Sequence, residues 1–124
     1  MREVVTVTGQ LSGSVHHADL EIHVVLSGRA ETEALDPLEQ LLARIHAEAM
    51  RHHVHAVIVD LKKLDFMSSS CFRLVLTWIT DIEDLAPAAR YRVKVISDPN
   101  VTWQNRSLHS MHSFAVDIVS VVKA

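Results

Sequence analysis

The chain is poor in glycine, proline and cysteine: 124 residues hold three glycines, three prolines and one cysteine. A single cysteine excludes an internal disulfide, and with it the small secreted scaffolds that need several. Three scattered glycines exclude a glycine-rich loop around a nucleotide phosphate, so P-loop and dinucleotide-binding readings fall away. No apolar run approaches the roughly 20 residues of a membrane-spanning helix. The first residues also lack the charged and apolar regions of a secretory leader. A cytoplasmic protein is therefore expected. A basic excess is missing too, since 12 Lys and Arg stand against 15 Asp and Glu, a formal charge of −3. Nucleic acid and anionic membranes call for clustered positive charge, so neither is an expected partner.

What is present is ordinary for a globular domain. Apolar residues make up 48% and charged residues 22%, close to the average. The length suits one domain spanning residues 1–124. At that size a chain buries about two-thirds of its unfolded surface, enough for a core without staples. Nine histidines are the one excess.

The hydrophobic period switches repeatedly between two and about 3.6. Glu3 to Gln10 is β-branched and reads as a strand. Gly13 and Ser14 read as a turn, with a loop around His16 and His17. Asp19 to Leu26 follows as a second strand, with Leu20, Ile22, Val24 and Leu26 on one face. Asp36-Pro37-Leu38-Glu39 then predicts a helix start, with Asp36 as cap and Pro37 at the first position. Leu38, Leu41, Leu42, Ile45 and Ala49 form one apolar stripe, and this helix should run to about His52.

Ala56-Val57-Ile58-Val59 is an unbroken apolar run ending at Asp60-Leu61. Such runs suit strands of a parallel sheet. Lys62 to Ser68 reads as a loop, and a second helix should run from about Ser69 to Leu85. Phe72, Val75, Ile79 and Ile82 line one of its faces; Leu74, Trp78 and Leu85 line another, which needs a neighbour or a partner. Arg90 to Ile96 is the next strand, Val101 to His112 a short helix, and Val116 to Val122 a last strand. The order β-β-α-β-α-β-α-β predicts an α/β fold. Its sheet is mixed and mostly parallel, of about five strands, with helices packed on it.

The most unusual stretch is Leu64-Asp65-Phe66-Met67-Ser68-Ser69-Ser70-Cys71-Phe72-Arg73. Three serines stand between a buried strand and an amphipathic helix. The first N–H groups of a helix lack intrahelical partners, and its dipole favours negative charge there. A phosphoryl group on such a serine gains from both effects. The plainer role, an N-cap at Ser68 or Ser69, stays open beside it.

These residues carry a resemblance. Val57-Ile58-Val59-Asp60-Leu61, then Leu64 to Ser70 and the following helix, resemble a STAS domain, the fold of bacterial anti-sigma factor antagonists. Leu26-Ser27-Gly28 resembles that family's leucine–x–glycine step after its second strand. The resemblance implies a single STAS-like domain that is not an enzyme and needs no cofactor. It implies a protein partner of the anti-sigma factor and serine-kinase type, and leaves a homodimer open. Ser70 matches the position phosphorylated in the family, with Ser69 before it. Ser68 stands where the family has aspartate and Cys71 where it has glycine. Ser68, Cys71, Arg73 and Trp78 are the expected partner-binding residues. The rival reading is a constitutive assembly or a small-anion or nucleotide sensor that phosphorylation does not regulate.

Other constellations are weaker. His52, His53 and His55, His16 and His17, and His109 and His112 form no recognised zinc spacing, so no metal site is expected. Cys71 at a helix start suits a reactive thiol, but no histidine is paired with it by sequence. Asp60 and Asp65 could be read as an acid–base pair, but Asp60 reads better as the end of the buried strand, capping or accepting loop N–H groups. No catalytic residue is expected.

Overall fold

A computed structural model describes residues 2–6 and 10–124, the first segment by its backbone alone. Its strands are β1 (Arg2–Thr6), β2 (Leu11–Ala18), β3 (Glu21–Ala30), β4 (Ala56–Met67), β5 (Arg92–Ser97) and β6 (Val119–Lys123). Three helices connect the later strands: α1 (Leu35–Arg51), α2 (Ser69–Glu83) and α3 (Thr102–Phe114). The strands lie side by side in chain order, β1-β2-β3-β4-β5-β6. β1 pairs antiparallel with β2, and β2 with β3; every later pairing is parallel. The mixed, mostly parallel α/β sheet is thus the expected one, with helices as crossovers.

One strand more than expected appears, because Leu11–Ala18 pairs along its whole length. Gly13 and Ser14 are therefore not a turn, and His16 and His17 are not in a loop. Glycine and serine disguised an alternation in which Leu11 and Gly13 are buried and Ser12 is exposed. Residues 7–9 of the expected first strand lie outside the described residues. The true hairpin turn is Asp19-Leu20, with Asp19 at φ 53°. Leu20 consequently lies exposed rather than on the inward face.

Gly28 is the one described glycine whose conformation the fold demands. It has φ +94°, and a Cβ there would land on the Gln10 carbonyl oxygen. That carbonyl accepts the Arg29 N–H at 2.9 Å. The backbones of β3 and Gln10 approach too closely there for a side chain to fit.

One sheet face holds the core. Ile22, Val24, Val57, Val59, Val93 and Val95 meet the α1 stripe Leu38, Leu41, Leu42, Ile45 and Ala49. All five stripe residues are buried, as their spacing predicted. Asp36 is not the cap, however: a short 3₁₀ turn at Thr32–Ala34 leads straight into the helix, and Asp36 sits in its first turn. Its carboxylate still faces the positive end of the dipole, and Pro37 in that turn removes an N–H that has no intrahelical partner.

β4 also runs further than expected. Its register against β3 slips between Val25 and Ser27, opposite Asp60 and Lys63, so the pairing resumes after a bulge. Two carbonyls of this stretch are met by a side chain. Gln104 of α3, fully buried, donates from Nε2 to Leu61 O at 2.6 Å and Leu64 O at 3.0 Å. Its Oε1 accepts the Asp98 N–H at 3.0 Å. The apparent loop from Lys62 is therefore ordered strand, which delivers the serines to one place at the sheet's end.

Candidate functional site

The serine turn follows the last residue of β4. Ser68 is the N-cap of α2, with φ −65° and ψ 157°, and its Oγ accepts the Cys71 N–H at 3.2 Å. The Ser68 N–H donates to Ala30 O at 2.8 Å, which ties the turn to the end of β3. The Ser68 carbonyl accepts the Phe72 N–H at 2.9 Å and opens the helical ladder. The plainer role assigned to Ser68 is thus the one it fills.

That leaves Ser69 and Ser70 as the first two helical residues, both exposed. No acidic residue occupies the first turn of α2. Two hydroxyls stand at the positive end of a 15-residue helix with no carboxylate beside them in that turn. Arg73, one turn further on, is exposed as well. Beside the turn, the Arg29 guanidinium lies 4.7 Å over the Phe66 ring and 3.5 Å from the Glu31 carboxylate.

Two expected surface residues are corrected. Cys71 is fully buried, and its Sγ donates to Glu31 O at 3.4 Å. The helix turns that position inward, so the residue in the glycine place packs rather than docks. Trp78 is also buried, at 4% exposure. The second apolar face of α2 is covered because α1 packs against α2. Trp78 Nε1 donates to the Tyr91 hydroxyl at 2.8 Å, and that hydroxyl lies 2.6 Å from His46 Nδ1. Burial raises the Tyr91 phenol above its usual range, the Trp78 bond pulls it back in part, and Asp81 adds to the rise. An indole with its N–H satisfied inside the core offers nothing to a partner.

Sequence reasoning missed this Trp78–Tyr91–His46 chain and the Gln104 brace, because each joins residues far apart in the chain. Trp103 is half-buried and donates from Nε1 to Leu64 O at 3.0 Å, so it too braces the strand before the turn. His112 is held by Val119 O at 2.9 Å. Among the described residues no three His, Cys, Asp or Glu side chains are grouped to hold a metal. No described helix is long and apolar enough to cross a membrane.

This architecture, a six-stranded mixed sheet delivering a serine turn to the start of α2, is the STAS fold of the anti-sigma factor antagonists. An anti-sigma factor antagonist from Mycobacterium paratuberculosis superposes with a TM-score of 0.63 at 18% identity, over 83% of this chain and 80% of that one. The anti-sigma factor antagonist SpoIIAA in its unphosphorylated form gives 0.57 at 21% identity, over 89% and 85%. The Bacillus cell fate determinant SpoIIAA in the phosphorylated form gives 0.57 at 18% identity, over 89% and 88%. No protein-family model and no curated protein matches the sequence.

Proposed function

We propose that this chain is a non-catalytic cytoplasmic regulator that docks on a protein partner of the serine-kinase, anti-sigma factor type. The start of α2 is the docking surface, with Ser69, Ser70 and Arg73 on it and Ser68 as its structural cap. Ser70 is the phosphoacceptor and Ser69 the alternate. The observation that carries the reading is the pair of exposed hydroxyls at the first positions of a capped helix. A phosphoryl group there adds roughly −1.5 to −2 charges on the surface the partner must cover. The helix N-terminus stabilises that charge, so the modified form is tolerated by the fold while docking is lost. Solved structures of the same fold include one protein in both an unphosphorylated and a phosphorylated form.

The test pairs the purified chain with a serine kinase of the anti-sigma factor type. Mass spectrometry should place phosphate on Ser70, and Ser70→Ala should remove it. Ser70→Asp should weaken partner binding by roughly tenfold or more, the scale of burying one unpaired charge at an interface. If neither Ser69 nor Ser70 takes phosphate and Ser70→Asp binds like the parent, constitutive docking replaces the switch.

A further inference from the structure

We propose a second interaction surface, the open face of the sheet, and a second copy of this chain as its occupant. Strands β3 to β6 run parallel and lie in chain order. Right-handed crossovers then place every connecting helix on the same face. Residues from all three helices accordingly share one core with Ile22, Val24, Val57 and Val93. No described helix covers the opposite face. Val25 and Val122 lie there 36% and 41% exposed, with Ile96 half-buried between their strands.

The register arranges this face in rows across the sheet. Glu21, Ala56 and Arg92 form one row, and His23, Ile58 and Lys94 the next. Val25, Asp60, Ile96 and Val122 form a third. A two-fold axis along β4, in front of the face, keeps the rows level and exchanges β3 with β5. Arg92 of each copy then lies over the partner's Glu21, Val25 over Ile96, and Ile58 over itself. His23 Nε2 contacts Glu21 Oε1 at 3.0 Å within the chain, which leaves Oε2 for the incoming guanidinium. Lys94 faces His23. Asp60 meets its own copy, but Lys62 Nζ lies 3.7 Å from its carboxylate and offsets the repulsion. An axis across the strands instead sets Glu21 against Val25 and Arg92 against Ile96, charge on apolar surface. The pattern of charge therefore selects the axis along β4.

Five strands, β2 to β6, spaced about 4.8 Å apart and five residues deep at about 3.3 Å each, span roughly 400 Å² a side before side-chain relief is counted. Stable pairs bury about 800 Å² a side and transient ones less than about 600 Å². A reversible dimer follows, dissociating at roughly 10–100 μM. The serine turn follows β4 and opens a helix on the covered face. With the axis along β4, both serine turns stand at the same end of the pair, clear of the interface. Pairing therefore does not depend on the proposed phosphorylation, and it offers two docking surfaces at once to a two-fold partner.

Sedimentation velocity across roughly 5 μM to 1 mM brackets that constant and should show monomer passing to dimer. Over the same range the NMR signals of Val25, Ile58 and Ile96 should move, while those of Ser69 and Ser70 stay in place. Arg92→Glu and Glu21→Arg, both at exposed positions, should keep the parent's circular dichroism spectrum. Each should weaken association roughly tenfold or more, because like charges then face each other twice across the axis. The two substitutions combined restore opposite charges and should bring association back to within about threefold of the parent. A monomer throughout, single variants that associate like the parent, no recovery in the combined variant, or signals moving only on the helix side would each overturn the assignment.

Discussion

Trp78 and Tyr91, thirteen residues apart in sequence, meet in the core with the indole Nε1 donating to the phenol oxygen at 2.8 Å. Because an indole can only donate, the phenol oxygen is the acceptor in that bond. The phenol proton is then free for His46 Nδ1, 2.6 Å away. One chain of donors thus runs from α2 through Tyr91, the residue before β5, to α1 and ties the two helices to the start of that strand.

This order of donors sets the tautomer of His46. Nδ1 must be the bare nitrogen, so the neutral ring should carry its proton on Nε2. Nitrogen-15 NMR at neutral pH should show that pattern. A neutral His46 ring protonated on Nδ1 would contradict the donor order. Tyr91→Phe leaves the Trp78 N–H buried without its partner, and should cost about 1–3 kcal/mol in urea unfolding.

Tyr91 also sets an alkaline limit. Its phenol is raised in the folded state, chiefly by burial. Below the unfolded value, about 10, both states hold the proton and the group contributes no pH slope. Above it the unfolded chain releases the proton while the native chain keeps it. Stability should therefore fall by up to about 1.4 kcal/mol per pH unit above pH ~10. Tyr91 is the only tyrosine, so phenolate absorbance should appear together with unfolding. A phenolate signal at pH 10 with the fold intact would refute the point.

Ser68 is a cap before it is anything else. Ser68→Ala should lower stability by about 1 kcal/mol, whereas Ser68→Asp should retain it, since both serine and aspartate accept the Cys71 N–H. Urea midpoints of the two variants separate a capping role from a purely docking one.

Gln104 should be among the least replaceable polar residues. Gln104→Leu keeps the volume but strands the Leu61 carbonyl and the Asp98 N–H, and leaves Leu64 O with Trp103 alone. A loss of about 2–4 kcal/mol is expected from two unmet buried groups. Faster amide exchange should appear around Lys62 to Met67. Unchanged exchange there would remove its bracing role.

Gly28→Ala tests the tight crossing of β3 under Gln10. The added Cβ meets a backbone carbonyl, and φ +94° is costly for any side chain. A loss of about 2 kcal/mol or more follows from strain alone, visible as a lower thermal midpoint. Gly13→Ala has no such left-handed φ to contend with and should be milder.

Much of the fold is legible in the sequence. The α1 stripe from Leu38 to Ala49 is buried residue for residue, and the unbroken Ala56–Val59 run is a central strand. The readings that went astray share a cause. Gly13 and Ser14 look like a turn because their own preferences say so, but pairing on both sides holds them in β2. Lys62 looks like a loop because the brace that orders it sits 42 positions away, in Gln104. The serine turn is half legible: three hydroxyls before an amphipathic helix announce a helix start, but not which one caps it.

By itself the sequence determined the α/β class, the order of the central elements and the place of the serine turn, because periodicity and helix-start chemistry depend on residues a few positions apart. The tertiary structure alone decided that Ser69 and Ser70 face outward while Cys71 and Trp78 turn inward. Those outcomes depend on what α1, β3 and β5 bring against α2. That proximity is a property of the folded path, and no local pattern of residues encodes it.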